Sequence, residues 1–140
     1  MHLVSLNIPD LLLSLWCGTI DGGRDDQTSW DFAVLQGPIW KDHGIDVATM
    51  TPFLPGSFDH PPHNPAEKIN SGYKAWEYLM YIYGLGPGLF YHVLPKPYWQ
   101  NLCRLVHGIH IAHQHKILVA SLKQAHQFLL DFVLEFEELY

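Results

Sequence analysis

A mainly α fold follows from three features of this chain. Apolar side chains recur at steps of three and four residues in several segments, Gly and Pro punctuate those segments at helix-like intervals, and no stretch alternates apolar and polar residues as a half-buried strand does. The 140 residues, 48% hydrophobic and 14% aromatic, suffice for one compact helical unit, 1–140, with no βαβ pattern and no internal repeat. Within it, 1–50 reads as N-terminal helices, 51–70 as a Pro-rich extended connector and 71–140 as C-terminal helices.

The first helix is expected over residues 8–16, with Ile8, Leu11, Leu12, Leu15 and Trp16 on one face and Pro9 in the first turn. Gly18 and the acidic run Asp21-Gly22-Gly23-Arg24-Asp25-Asp26 then form a solvated loop. Ser29 is placed to cap a second helix through Trp30, Ala33 and Val34, interrupted at Gly37-Pro38, resumed toward Trp40 and stopped at Gly44. Five prolines between Thr51 and Pro65 predict an extended connector, anchored by Phe53, Leu54 and Phe58. Tyr73 to Tyr83 is apolar or aromatic nearly all round, which predicts a helix buried on more than one side and ended by Gly84. Gly84-Leu85-Gly86-Pro87-Gly88 then reads as a tight corner before a short apolar turn. Trp99, Leu102, Leu105, Val106, Ile109 and Ala112 mark the next helix. In the last one Leu122, Ala125, Leu129, Phe132, Phe136 and Leu139 form the stripe, with Ser121 and Gln124 as a capping box. Its final residues, Glu135, Glu137, Glu138, Leu139 and Tyr140, carry acids where a helix end favours cations, as in a chain cut in mid-helix.

Charge and composition narrow the function. Eight Lys+Arg against 14 Asp+Glu leave a formal charge of −6, which disfavours sequence-independent phosphate binding by this chain alone. Cys17 and Cys103 form no C-x-x-C motif, so neither a disulfide framework nor a cysteine zinc knuckle is indicated. The start lacks a basic n-region and cleavage site, and no apolar run reaches the ~18–20 residues of a membrane span, so a soluble intracellular chain is expected.

His107, His110, His113 and His115 form H-x-x-H-x-x-H-x-H, and steps of three keep three imidazoles within about 120° of a helix. No Cys or H-E-x-x-H glutamate completes a zinc set, and histidines at a helix C-terminus are favoured by its dipole alone. His43, His60, His63, His92 and His126 are scattered. The glycine-rich corner lacks the Lys-Ser/Thr of a phosphate loop and follows a helix rather than a strand. Tyr73, Trp76, Tyr78, Tyr81 and Tyr83 have only Lys74 beside them, so core packing is favoured over base stacking. Asp25-Asp26 and Glu137-Glu138 read as solvated charge, and no G-x-S-x-G is present.

Met1-His2-Leu3-Val4-Ser5-Leu6-Asn7-Ile8-Pro9-Asp10-Leu11-Leu12 resembles the segment around the second catalytic Asp of CACTA (En/Spm superfamily) DDE transposases, where an Asp-x-x-His motif precedes an Asn-x-x-Asp and an apolar helix. His2 matches the motif histidine and Asn7 and Asp10 the trailing pair, while the motif's own Asp falls before Met1. Thr51-Pro52-Phe53-Leu54-Pro55-Gly56-Ser57-Phe58-Asp59, Gly72-Tyr73-Lys74-Ala75-Trp76-Glu77 and Tyr83-Gly84-Leu85-Gly86-Pro87-Gly88 are similar to the fungal, mushroom-type branch of the family. The resemblance covers nearly the whole chain.

It implies a nuclear DNA-transposing enzyme with an RNase H-like core, in which three carboxylates hold two Mg²⁺ ions for attack on phosphodiesters. This chain would be the helical insertion between the second Asp and the final Glu, a truncated piece that is inactive alone. His2 would be its sole catalytic-motif residue, with no metal or cofactor of its own and DNA met only within the full-length parent. Glu135, Glu137 and Glu138 match no family glutamate motif, and a basic residue is expected in the family near His110. A fragment of this kind leaves helix faces uncovered and prone to self-association. The alternatives are a free-standing helical module that binds a partner protein through its aromatic face, and a histidine-helix metal binder.

Overall fold

The computed structural model describes residues 3–21, 29–55, 61–69 and 72–140. The protein is mainly helical, with no strand among the described residues. It divides into two compact units, Met1–Leu89 and Phe90–Tyr140.

The first unit opens with a π-helical turn, Leu3–Asn7, that runs into α1, Ile8–Cys17. Helix α1 is the first predicted helix, with Pro9 in its first turn, but its buried side chains are Pro9, Leu12, Leu13, Leu15 and Trp16, while Leu11 is exposed. Gly18, at φ 65°, ends it: Gly18 N–H donates to the Leu15 carbonyl and Thr19 N–H to that of Ser14, the paired bonds of a left-handed C-cap. Most of the acidic loop, residues 22–28 with Asp25 and Asp26, lies outside the described residues.

The helix expected from Ser29 does not form. Leu35 N–H instead donates to the Trp16 carbonyl at 2.8 Å, which fixes 33–36 as a strap across the end of α1 with Phe32 and Leu35 buried. Helix α2, Gly37–Thr49, starts where the break was expected, because Pro38 in the first turn surrenders an N–H that has no partner there anyway. Nor does Gly44 stop it. Gly44 lies inside α2, and a Cβ at this position would collide with Asn64 Oδ1, so the glycine serves close approach rather than termination.

The connector is ordered differently from expectation. Thr51–Phe53 is a 3₁₀ turn whose Phe53 is 80% exposed, and Phe58, with the rest of 56–60, lies outside the described residues. Buried Pro62, rather than Phe53, anchors its second half, before the short α3, Pro65–Lys68, capped by Asn64 Oδ1 accepting from Ala66 N–H.

Helix α4, Ala75–Tyr78, a π-helical segment, Leu79–Leu85, and α5, Gly86–Leu89, follow one another without a break. Gly84 therefore does not end the aromatic helix, and Gly84–Gly88 is helical rather than a corner. The π segment buries three consecutive side chains, Tyr81, Ile82 and Tyr83, and Pro87 is the second residue of the α5 that follows. Tyr83 Oη donates to the Val4 carbonyl at 2.9 Å, tying this π segment to the π turn at the start of the chain.

The second unit is an antiparallel pair, α6, Lys96–Ala112, and α7, Val119–Leu139. In α6 the predicted stripe is buried from Leu102 to Ile109, although Ile111 rather than Ala112 closes it. Helix α7 starts at Val119, after extended Leu118, with no side-chain cap, so Ser121 lies within its first turn and the Ser121–Gln124 capping box is not made. Ala125 and Phe132 are buried and Leu122 is exposed. Gly108 lets the helices touch: a Cβ there would lie 2.7 Å from Leu129 Cγ and 3.3 Å from the Ala125 carbonyl oxygen.

Candidate functional site

The first unit holds a cleft of about 300 Å³ between α1 and the start of α2. Steps of four and three set Asp10, Ser14 and Cys17 on one face of α1, and Gln36 and Trp40 line the other side. Asp10 thus lies in the first turn of α1 on the cleft wall, while Asn7 is exposed at the N-cap position without a side-chain capping bond. His2 lies outside the described residues.

Burial pushes the Cys17 thiol up to about 11, so it is protonated near neutrality and is no nucleophile. Behind Trp40, whose ring stacks on His43 at 6.1 Å, the His43 Nε2 and Tyr81 Oη share a 2.7 Å hydrogen bond. Burial lowers the His43 imidazole to about 4 against the opposite pull of Asp46, and pushes the Tyr81 phenol well up. Both groups are neutral near pH 7. With His43 3% exposed, the pair is closed to a solvent-borne substrate and acts as a polar core bond.

A second polar cluster joins the connector to α4. Glu77, at the third position of α4, accepts from Lys74 N–H at 2.9 Å through Oε2, and from His63 N–H at 3.1 Å and His63 Nδ1 at 2.7 Å through Oε1. Burial pushes the Glu77 carboxyl up, but these three hydrogen bonds outweigh it and hold the group below the usual carboxylate range. Tyr73 Oη donates to the His63 carbonyl at 3.2 Å, closing the knot. No family model, curated protein or solved structure matches the chain.

The remaining sequence candidates are not brought together. His107, His110, His113 and His115 are all exposed at the end of α6 and just beyond, and His107 packs its ring against Phe128 at 4.4 Å. Among the described residues no three His, Cys, Asp or Glu side chains gather as metal ligands. Tyr73, Tyr78, Tyr81 and Tyr83 are buried, with Tyr73 edge-on to Tyr78 at 5.0 Å, and so form core rather than a stacking platform. Glu137 and Glu138 are exposed on α7. Among the described residues no helix is long and apolar enough to cross a membrane.

Sequence reasoning missed His43, Glu77 and Asn101 as buried polar groups. Two of them had a signal. His43 shares its stripe with Val47, four residues on, and Glu77 stands three residues after Lys74, the spacing at which a helix-start glutamate reaches back to the N-cap N–H. Asn101, amid the apolar residues of α6, had none.

Proposed function

We propose that this chain is the helical insertion of a CACTA-type DNA transposase of the fungal branch, and that it contributes packing surface rather than catalytic carboxylates. The observation that carries the reading is where the family-like words fall. Gly72–Glu77 contains Tyr73, Lys74 and Glu77 of the buried knot, Tyr83–Gly88 spans the passage from the π segment to α5, and Asn7-x-x-Asp10 spans the passage from the π turn to α1. The formal charge of −6 favours protein contacts over DNA phosphates for this part of the parent, whose expected compartment is the nucleus. Mg²⁺ belongs, on this reading, to carboxylates of the parent that match no residue here.

The test is in-frame translation of the nucleotide sequence on both sides of the coding segment. An Asp codon three before the His2 codon and a Glu-bearing helical segment beyond Tyr140 support the assignment; unrelated non-coding flanks overturn it. The second reading, a free-standing helical interaction module, is favoured by one observation, the exposed apolar side chains along α7.

A further inference from the structure

Helix α7 has two apolar faces, and the second is directed at nothing in its own unit. Ala125 and Phe132 meet α6 through Gly108 and Asn101. Leu118, Val119, Leu122, Leu130, Val133 and Leu134 are all between 42% and 76% exposed. At about 100° per residue, those within the helix share a sector of about 120° centred near His126 and turned away from Ala125 and Phe132.

Their spacing is symmetric about His126. Leu122 and Leu130 stand four residues to either side of it, Val119 and Val133 seven, and Leu118 and Leu134 eight. A two-fold interface requires that when residue i meets j, j meets i, and a face spaced in this way meets its own antiparallel copy with apolar residue against apolar residue. Turning one copy antiparallel on another sets Leu122 against Leu130, Val119 against Val133 and Leu118 against Leu134, with the two His126 rings on the axis.

Charge selects the same orientation. Lys116 and Lys123 flank the start of this face, and Glu137 and Glu138 its end. An antiparallel pair brings the Glu137 of one copy to the Lys116 end of the other, and opposes the two helix dipoles; a parallel pair would align the glutamates with each other.

We propose that the outer face of α7 is a homodimer interface, formed by antiparallel two-fold pairing with a second copy of this chain about His126. The helix is 21 residues, about 31 Å, and a single such pair buries less than the ~800 Å² per partner of a stable complex. The dimer is therefore weak and forms as concentration rises. This inference rests on α7 alone and stands or falls separately from the family assignment.

Sedimentation velocity of the full chain over about a hundredfold range of concentration tests it. The expected result is a mass rising from monomer toward dimer, abolished in Leu122→Glu/Leu130→Glu and again in Val133→Lys, each with unchanged helical circular dichroism because the altered positions are exposed. With Cys17 and Cys103 replaced by Ala, His126→Cys should form a disulfide-linked dimer under mild oxidation faster than Gln124→Cys, which lies on another face of the helix. A monomer at every concentration overturns the proposal. So does a dimer indifferent to the Leu122 and Leu130 changes, or cross-linking through position 124 as fast as through 126.

Discussion

His43 and Tyr81, 38 residues apart, meet in a 2.7 Å hydrogen bond that joins α2 to the π-helical segment, with Tyr81 fully buried. The bond is made by a neutral imidazole, because burial holds His43 at about 4, below its ordinary value of 6.5. In that window the unfolded chain takes up a proton that the folded chain refuses. The contribution is therefore complete above about pH 6.5 and is lost as the pH falls toward 4, by roughly 3 kcal/mol in all. Urea midpoints measured between about pH 7.5 and 4.5 should show this slope, and His43→Gln, which does not titrate, should flatten it. Tyr81→Phe should lower stability by about 1–2 kcal/mol at neutral pH.

Glu77 is expected to behave as a buried acceptor rather than a surface acid. Glu77→Gln sets an amide N–H₂ against one of the N–H donors from Lys74 and His63, and should lower the unfolding free energy by about 2 kcal/mol at pH 7. Since the folded carboxyl is held below its usual range, its contribution is present above the ordinary carboxylate pKa and is lost as the pH falls from there through the depressed folded value. A variant with unchanged stability would show that the knot carries no weight.

Three helical glycines should respond to alanine in opposite directions. In Gly108→Ala the new methyl meets Leu129 and the Ala125 carbonyl, so overpacking of about 1–3 kcal/mol outweighs the ~1 kcal/mol gained in helix propensity. Gly84→Ala and Gly88→Ala meet nothing closer than Met80 Cγ at 4.0 Å and should stabilise by about 0.5–1 kcal/mol each. Thermal melts of the three variants check the contrast, and Leu129→Ala should reduce the penalty at Gly108 when the two changes are combined.

Asn101 is 1% exposed and donates from Nδ2 to the Phe132 carbonyl at 3.0 Å, while its Oδ1 is buried without a hydrogen-bond partner among the described residues. Asn101→Leu removes that orphaned acceptor, and the Phe132 carbonyl keeps its place in the helix ladder. Chemical denaturation should find the variant as stable as the parent or up to about 1 kcal/mol more so. A loss above that size would show that the amide bond to α7 outweighs the orphaned oxygen.

Where helices form was legible in proportion to how local the cause is. Helices α1, α6 and α7 announce themselves by three- and four-residue apolar steps, and Gly18 ends α1 as a left-handed cap, because periodicity and capping act within a few residues of one another. Gly44 and Gly84 carry the same local signature as Gly18 and stop nothing. One is held in α2 by the approach of Asn64, and the other is carried through by a π segment anchored by Tyr81 and Tyr83. The strap at 33–36 is likewise dictated by the Trp16 carbonyl, a partner no local pattern around Ser29 reveals.

The site divides along the same line. The residue types at Asp10, Ser14 and Cys17 and their helical spacing were in the sequence by itself, as were the mainly α class and the mirrored apolar spacing about His126. Only the tertiary structure decided that Trp40 and Gln36 face that wall, that burial pushes the Cys17 thiol up, that His43 is neutral and closed off, and that Leu122, Leu130 and Val133 stay exposed while Ala125 and Phe132 are buried against α6. Those outcomes depend on desolvation and on contacts between residues far apart in the chain, which the fold creates and no short window of sequence contains.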